Sequence, residues 1–240
     1  MKIAMIGYGK MGKEIEKVAI ERNHEISLII DVNDRDKFTP ENLSKCDVAI
    51  EFSVPESAYN NILQCFKAGL PVVSGTTGWL DKLDDIRKRC EGDKQSFLYA
   101  SNFSIGVNIL FALNKYLARI MNRFNEYTPS LEETHHIHKK DAPSGTAITL
   151  GEDLIKESNK LKSWKLNTKV DDTTLPIVAK REDEVPGTHN IRYDSIVDSI
   201  DIIHKAKSRA GFALGAVLAA EYLHDKKGFH GMNDLLKLEE

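Results

Sequence analysis

The segment KIAMIGYGKMG, residues 2–12, decides the fold of the first part of the chain. Its apolar start predicts a short strand over residues 2–6, and the apolar side chains of residues 13–22 fall on one helical face. Between strand and helix, the glycines fit the pattern G-x-G-x-x-G. A strand, a glycine-rich turn and a helix in this order predict the first βα unit of a dinucleotide-binding domain.

Each glycine of the motif has a physical task in a dinucleotide site. Gly7 permits the tight turn, Gly9 lets a pyrophosphate approach the backbone, and Gly12 lets the helix pack closely on the sheet. The helix start adds N–H groups and a positive dipole for the phosphates. A purely structural glycine turn is the alternative. An NTPase loop is disfavoured because Glu14 stands where the metal-binding hydroxyl belongs.

Asp31 indicates which dinucleotide binds. It follows the glycine motif by about 20 residues, at the predicted tip of the second strand, where a carboxylate accepts hydrogen bonds from a ribose diol. The same carboxylate repels the 2′-phosphate of NADPH, although Lys10 and Arg35 are near enough in sequence to offset part of the repulsion. We therefore predict NADH as the preferred cofactor and NADPH as the second.

Apolar strands continue to alternate with helices up to about residue 105. Strands are expected at 26–30, 48–52, 70–73 and 97–100, and helices from about Glu56 to Gly69 and over 80–90. Gly69 suits the position just after a helix end. This alternation predicts a Rossmann-like α/β fold, a parallel sheet with helices on both faces.

The regular alternation of predicted strands and helices ends at about Gly106. Helices are expected over 107–123, 146–160 and 210–223, and strands at 130–137, 175–179, 190–193 and 199–205. Strands without regular crossover helices predict a second, α+β domain built on a mixed sheet.

The composition excludes several classes of function. Of 240 residues, 33 are Lys or Arg and 36 are Asp or Glu, and this near-neutral balance argues against a general nucleic-acid binder. No run of about 18 apolar residues predicts a membrane helix, and the N-terminus is not typical of a secretory leader. Three widely spaced cysteines predict neither a disulfide framework nor a Cys-based metal knuckle. We expect a soluble cytoplasmic protein.

Two short polar segments follow predicted strands. Gly75-Thr76-Thr77-Gly78 comes after the fourth strand, and Ala100-Ser101-Asn102-Phe103 ends the fifth. Open α/β sheets bind ligands at the carboxyl ends of their strands, so both segments are candidates for cofactor contacts. Ordinary turn chemistry is the alternative, and it explains these residue types equally well.

The densest chemical segment is EETHHIHKKDAPSGT, residues 132–146. If it were extended, His136 and His138 would face one side and His135 the other, so only two could share a metal ion without a bend. Because no cysteine or ordered carboxylate completes a zinc set, we predict no metal site. A solvated basic strand is one interpretation. Clustered His and Lys before a Gly-Thr helix start better suit an anion and proton site.

Several motifs resemble the 4-hydroxy-tetrahydrodipicolinate reductase family, in that family's order and over most of the chain. They are residues 7–12, 75–77, 101–104, 135–147, 185–188 and 204–209. The segment from His135 to Thr146 is the most specific of them. The glycine loop is one residue shorter than the family's usual form, and the segments after Asp31 and after Gly187 are short.

The resemblance implies a cytoplasmic homotetramer of the diaminopimelate branch of lysine biosynthesis, which reduces a cyclic dicarboxylate imine with NADH or NADPH. It implies His135 as proton donor/acceptor and Lys139 as proton donor. The substrate carboxylates would be held by His136, Gly145 and Thr146. The cofactor would contact Gly7, Tyr8, Gly9, Lys10, Met11, Gly12, Asp31, Gly75, Thr76, Thr77, Ala100, Ser101, Asn102 and Phe103. The implied dinucleotide domain is 1–105 with 210–240, and 106–209 would bind substrate and form the oligomer.

Two other functions remain open. A different two-domain nicotinamide oxidoreductase would act on a hydroxy acid or another imine. A non-catalytic dinucleotide sensor would bind a partner through its second domain, but it has no need of the His-Lys cluster.

Overall fold

The computed structural model describes residues 1–168 and 171–238. The chain divides into two compact units, Met1–Ile105 with Arg209–Leu238, and Gly106–Ser208. Glu239 and Glu240, which the predicted dinucleotide domain includes, lie outside the described residues.

The helices and strands alternate through the first unit and then change pattern. In chain order they are β1 (Lys2–Ile6), α1 (Lys10–Glu21), β2 (Glu25–Ile30), α2 (Pro40–Leu43), β3 (Val48–Glu51), α3 (Pro55–Lys67), β4 (Val72–Ser74), α4 (Leu83–Gly92), β5 (Ser96–Tyr99), α5 (Ile105–Met121), β6 (Thr128–His135), α6 (Gly145–Glu157), β7 (Ser163–Leu166), β8 (Thr174–Arg181), β9 (Thr188–Asp194), β10 (Ser199–Lys205), α7 (Ala210–Leu223), β11 (Gly228–His230) and α8 (Met232–Leu236).

The sheet of the first unit is parallel, in the order β11-β5-β4-β3-β1-β2. Its strands are apolar on both sides. Ile3 and Met5 of β1 belong to a core with α1 and α7, whereas Ala4 and Ile6 belong to a core on the other face with α3. Successive strand residues point to opposite faces, which is why a continuous apolar run suits a sheet covered twice. The predicted Rossmann-like fold is confirmed.

The sheet of the second unit is mixed, as predicted, in the order β10-β9-β6-β8-β7. β6 pairs in parallel with β8 and antiparallel with β9. Leu131, Ile177 and Ile191 face a core that also contains Leu110 of α5 and Leu150 of α6. This arrangement places the carboxyl end of β6, and with it the histidine segment, beside the start of α6.

Several predicted boundaries are wrong, and the largest difference concerns the histidines. β6 ends at His135 and a turn follows, so the segment is not extended through His138. The backbone amides after His135 do not pair with a neighbouring strand: the Ile137 amide donates to the Asp183 carbonyl, and the Lys139 amide donates to the His136 carbonyl within the turn. The expected helix 80–90 is a 3-10 turn, Leu80–Lys82, followed by α4. β7, β11 and α8 were not predicted because each is short and only weakly patterned.

Within the described residues, no helix combines the length and the apolar character that crossing a membrane requires.

Candidate active site

The glycine turn between β1 and α1 needs two of its glycines for steric reasons. Gly7 has φ of 86°, and a Cβ there would lie 2.2 Å from the carbonyl oxygen of Phe52. A Cβ at Gly12 would lie 2.5 Å from the carbonyl oxygen of Gly7. At Gly9 a Cβ would meet nothing within 4 Å, so this backbone faces open space. The turn is therefore tight on the protein side and accessible on the other.

The start of α1 is suited to an anion. Gly9 is the N-cap and supplies no side-chain cap, and the first turn carries no acidic residue. The first N–H groups of a helix lack partners within the helix, so they and the dipole favour a phosphate. Lys10 is exposed at this helix start, and Met11 packs partly against the core. The Tyr8 hydroxyl donates to Glu16 of the same helix.

A cavity of about 220 Å³ opens beside this turn and brings Asp31 and Arg35 together. Asp31 directly follows β2, whose last residue, Ile30, accepts a hydrogen bond from the Gly7 amide at 2.8 Å. Arg35 donates from Nη1 to Oδ1 of Asn61 at 3.0 Å, and all three side chains line the cavity. A carboxylate and a guanidinium thus share one pocket.

Beneath this cavity lies a buried carboxylate, Glu51, at the end of β3. Its Oε1 accepts from the Ser53 amide at 3.2 Å and from the Ser53 hydroxyl, and Asn61 Nδ2 lies 3.5 Å away. Its Oε2 accepts from the Ser74 hydroxyl at 2.7 Å. Asn61 Nδ2 also donates to Ser53 Oγ, which turns the Asn61 carbonyl towards Arg35. The sequence reasoning missed this network.

The polar segments after β4 and β5 are partly used by the fold itself. Thr76 is buried; its hydroxyl accepts from the Ser53 amide at 2.9 Å, whereas Thr77 is exposed. Gly75 lies against the Phe52 ring, and a Cβ at Gly75 would lie 2.3 Å from Cζ of Phe52. Phe103 is a core residue. Ala100 is buried, Ser101 is exposed, and Asn102 Oδ1 accepts from the Ser104 amide at 2.8 Å.

In the second unit, the predicted catalytic segment is organised around Glu133, a carboxylate with no exposed side-chain surface. Both of its oxygens accept from the Ser144 amide, at 3.0 and 3.1 Å. His135 Nδ1 lies 3.3 Å from Oε2, and His189 Nε2 lies 3.8 Å from the same oxygen. The alternation of β6 places Glu133 and His135 on one buried face, so the strand brings this pair together.

Arg181, the last residue of β8, joins the same carboxylate to the loop after β6. Its Nη1 and Nη2 lie 3.4 and 3.3 Å from Glu133 Oε1. Its Nε donates to the carbonyl of Lys139 at 3.3 Å, and Nη2 donates to the carbonyl of Asp141 at 2.6 Å. One guanidinium therefore holds a strand and both ends of a three-residue loop.

The charge state of the cluster follows from these contacts. Burial alone would raise the pKa of Glu133, but the close contact with His135 and the hydrogen bonds from Ser144 together outweigh it and lower the pKa from 4.5 to about 2. Burial, with a contribution from nearby His135, lowers the pKa of His189 from 6.5 to about 4. At neutral pH the cluster therefore contains an ionised Glu133 and a neutral His189, whose Nε2 lies 3.2 Å from Ser144 Oγ.

Lys139 forms a two-pronged ion pair with Asp141, at 2.8 and 2.7 Å. Burial opposes ionisation of Asp141, but the hydrogen bond from Lys139, a backbone hydrogen bond and the charge of Lys139 together outweigh it and lower the pKa of that carboxyl. His136 is half-buried and its Nδ1 makes no hydrogen bond within the described part of the chain. His138 is exposed and pairs with Glu184 at 3.0 Å, so the structure separates it from the buried histidines.

The start of α6 presents the two residues predicted to hold carboxylates. Ser144 is the N-cap, and its Oγ accepts from the Ala147 amide at 3.2 Å. Gly145 is exposed and faces open space, and Thr146 is half-buried beside it. A capped helix start whose first residue is open to solvent favours an anion.

Three of these residues were missed by the sequence reasoning, namely Glu133, Arg181 and His189. Among the described residues, Glu133, His135 and His189 also bring three ligand atoms within 4.8 Å of one another. The prediction that at most two histidines of the segment could share an ion did not consider this set. Glu133 had a signal, because it lies two residues before His135 in a strand. Arg181 and His189 come from distant strands and had none.

Comparison with protein families matches nearly the whole chain. The family model of the dihydrodipicolinate reductase N-terminus matches residues 1–103, and the model of the C-terminus matches residues 106–236. A 4-hydroxy-tetrahydrodipicolinate reductase from Christiangramia forsetii is 50% identical over 238 residues, which is 98% of each chain. A reductase of the same name from Archaeoglobus fulgidus is 31% identical, over 99% of this chain and all of the relative.

Solved structures show the same fold. The dipicolinate-bound dihydrodipicolinate reductase from Paenisporosarcina sp. TG-14 matches with a TM-score of 0.76 and 22% identity, over 96% of this chain and 97% of that one. A probable dehydrogenase from Thermotoga maritima matches with a TM-score of 0.58 and 10% identity, over 99% and 93% of the chains.

Proposed function

The chain belongs to the dihydrodipicolinate reductase family, and we propose how its own residues serve that family's reaction. The protein is an NAD(P)H-dependent oxidoreductase that reduces 4-hydroxy-tetrahydrodipicolinate to tetrahydrodipicolinate in the diaminopimelate route to lysine. One observation carries the residue assignment. Glu133 contacts His135, the start of α6 and, through Arg181, the loop of Lys139.

The substrate is a dianion, so its site needs donors and positive charge. We assign its carboxylates to His136, to the open helix start at Gly145 and to Thr146. This assignment is supported by the exposed backbone of Gly145 and by the cap that Ser144 provides behind it. Helix N-termini stabilise anions by about 0.3–1 kcal/mol through the dipole, in addition to direct hydrogen bonds.

The proton steps are assigned to His135 and Lys139. When bound, the reduced nicotinamide supplies the hydride. The reduced ring then needs a proton at the adjacent carbon, which a positioned acid delivers about 10²- to 10⁴-fold faster than the reaction without one. Lys139 is the principal donor and His135 assists. The bond to Asp141 keeps the Lys139 ammonium in place before substrate arrives.

The residues of the glycine turn fit a dinucleotide. The open backbone at Gly9 and the start of α1 suit the pyrophosphate, and Asp31 suits the ribose diol. We propose that NADH is preferred to NADPH, because Asp31 repels a 2′-phosphate while Arg35 in the same cavity offsets only part of that repulsion. A larger kcat/KM with NADPH than with NADH would contradict this preference.

We further propose a homotetramer located in the cytoplasm. In the second unit, the sheet face opposite the helices carries the exposed side chains of Val178 and Ile203, and the β9–β10 hairpin tip carries exposed Ile196 and Val197. Apolar surface of this kind favours association. Light scattering after gel filtration would give four times the chain mass of 27.0 kDa. A cytoplasmic location suits a biosynthetic enzyme with three free cysteines.

The test of the reaction is NADH oxidation while the preceding pathway enzyme condenses pyruvate with aspartate semialdehyde in the same cuvette. Sustained loss of NADH absorbance supports the assignment. Oxidation with pyruvate alone would favour an oxidoreductase for another acid, and tight NADH binding without turnover would favour a sensor. Folded protein that binds NADH but does not turn over would contradict the proposal.

A further inference from the structure

The environment of Glu133 points to a function beyond local stability. Its Oε1 receives the Ser144 amide and the guanidinium of Arg181, while Oε2 lies 3.3 Å from His135 Nδ1. His189 is farther away, at 3.8 Å, and its Nε2 lies closer to Ser144 Oγ. Each of the three segments proposed to act on the substrate therefore contacts this carboxylate, either directly or through Arg181.

We propose that Glu133 is the positioning residue of the active site, holding the His135 imidazole with Nδ1 towards the carboxylate and Nε2 towards the substrate. This inference rests on the proposed role of His135. Glu133 does not touch the substrate; it acts through His135, through the α6 start and, by way of Arg181, through the Lys139 loop.

The orientation of the His135 ring supports this role. Its Nδ1 is shielded from solvent and makes no hydrogen bond of good geometry within residues 1–168 and 171–238, and Glu133 Oε2 lies 3.3 Å from it. Contacts of this kind are often misaligned without substrate and tighten when it binds. On the other side of the ring, a Cβ at Gly187 would lie 3.0 Å from Nε2, so any side chain at this position would crowd Nε2.

The fork of Arg181 explains how one carboxylate can hold the loop as well. Arg181 bonds Glu133 and, at the same time, the carbonyls of Lys139 and Asp141. A guanidinium has five donors in a rigid plane, so the position of the carboxylate and that of the loop are coupled. The charge on Glu133 also balances that of Arg181 in a half-buried place, where an unpaired charge would be costly.

A bound divalent ion is the alternative use of Glu133, His135 and His189. Arg181 competes with it, because its guanidinium lies 3.3 Å from the same carboxylate and would repel a cation. All assays are therefore run on protein dialysed against EDTA, with the metal content measured. Activity that needs added metal would overturn the proposal.

The experiment compares Glu133→Gln with Glu132→Gln, a matched control. Glu132 is the neighbouring carboxylate on the opposite face of β6, half-exposed and paired with Lys180 at 2.9 Å. Glu133→Gln should lower kcat by about 10- to 100-fold, by analogy with the loss seen when a group that orients a metal-ligating histidine is removed. The Kd for NADH should stay within about twofold in both variants, and Glu132→Gln should keep kcat.

A second readout separates positioning from a merely structural role. Solid-state NMR of the sedimented, ¹⁵N-histidine-labelled enzyme reports which His135 nitrogen carries the proton, with His135→Gln giving the assignment. The native enzyme should show a protonated Nδ1, and Glu133→Gln should show a mixture of tautomers in which Nδ1 is only partly protonated. A fall in kcat with an unchanged tautomer would overturn the proposal, and so would an unchanged kcat.

Two further variants keep the test decisive. If Glu133→Gln does not fold, Glu133→Asp replaces it and should retain the tautomer with an intermediate kcat; loss of the tautomer there would overturn the proposal. Arg181→Lys keeps a positive charge but loses the fork, so kcat should fall while the tautomer stays. The NMR signal does not depend on turnover, so an unchanged kcat in His135→Ala would contradict the proposed role of His135, whereas the tautomer of the native enzyme and of Glu133→Gln would still report whether Glu133 orients the ring.

Discussion

Glu51 in the first unit and Glu133 in the second are both buried carboxylates at strand ends, and they are held in opposite ways. Glu51 is bound by hydroxyl, amide and backbone donors, all of them neutral. Glu133 is bound by the guanidinium of Arg181 and by His135, besides one backbone amide. Glu51 lies beneath the cavity lined by Asp31 and Arg35, whereas Glu133 lies at the proposed proton donors.

The difference matches what each unit has to do. In the proposed function, the first unit binds a cofactor through backbone that is placed by glycines, so its buried carboxylate only needs to hold loops in shape. The second unit is proposed to move protons and hold a dianion, so its buried carboxylate works among charges. We therefore expect side-chain substitutions to lower activity most in the second unit. Substitutions that crowd the backbone should lower stability and cofactor binding most in the first unit.

The largest effect is expected for Lys139→Ala. Losing the principal proton donor should lower kcat by about 10²- to 10⁴-fold, with the Kd for NADH nearly unchanged because the cofactor residues are elsewhere. His135→Ala should lower kcat less. The control is Lys140→Ala, since Lys140 is exposed. Steady-state kinetics decide the matter, and near-normal turnover in Lys139→Ala would remove this lysine from the role.

The charged character of the second unit also predicts a loss of stability in acid. The pKa of His189 is about 4 in the fold and 6.5 in the unfolded chain, so the unfolded chain takes up the proton first as pH falls below 6.5. The pKa of Glu133 is about 2 in the fold and 4.5 in the unfolded chain, so a second loss of unfolding free energy begins below pH 4.5. Each loss amounts to about 3 kcal/mol of unfolding free energy.

Urea denaturation between pH 7 and pH 3 measures this dependence. His189→Asn should abolish the loss of unfolding free energy between pH 6.5 and pH 4. Glu51→Gln should leave that loss unchanged. Stability that stays constant from pH 6.5 to pH 4 in the unmodified protein would contradict the assigned environment of His189.

Backbone crowding in the first unit is tested by the pair Gly12→Ala and Gly9→Ala. A Cβ at Gly12 would lie 2.5 Å from the Gly7 carbonyl oxygen, so we expect about 1–3 kcal/mol of lost stability together with weaker NADH binding. A Cβ at Gly9 meets nothing within 4 Å, so stability should be kept while NADH binding weakens. Thermal melting and NADH titration, read together, separate the two. Equal melting temperatures for Gly12→Ala and Gly9→Ala would contradict the predicted difference in stability.

The smallest effect is expected for Thr146→Val. If Thr146 holds a substrate carboxylate as proposed, removing its hydroxyl should cost about 0.5–1.5 kcal/mol of binding free energy, which raises the substrate KM by about 2- to 10-fold. Thr149→Val serves as control, since the Thr149 hydroxyl bonds to the Gly145 carbonyl of its own helix at 3.1 Å. An unchanged KM in Thr146→Val would count against the anion-binding role.

Much of the first unit was predictable because its signals are local. Residues 2–12 contain the strand, the turn and the helix start in one continuous stretch, and the steric needs of Gly7 and Gly12 follow from that stretch. The alternation of apolar runs predicted β1 to β5 with errors of a few residues. β11 was missed because three residues carry too little pattern, and it pairs with β5 across a large separation in sequence.

The candidate site of the second unit was predictable only in part. His135 and Lys139 were found from their clustering in residues 132–146, and Glu133 lies in the same stretch without having been given a role. His138, from the same cluster, lies on the surface with Glu184 because β6 ends at His135.

The order of residues along the chain was enough to place a glycine turn, a helix start and a set of histidines, because each depends on neighbours within a few positions. The setting of Glu133 depends instead on strand pairing. Arg181 reaches it across 48 positions, and His189 reaches Ser144 across 45. Burial and the pKa values of this cluster result from these long-range contacts, which no local pattern specifies.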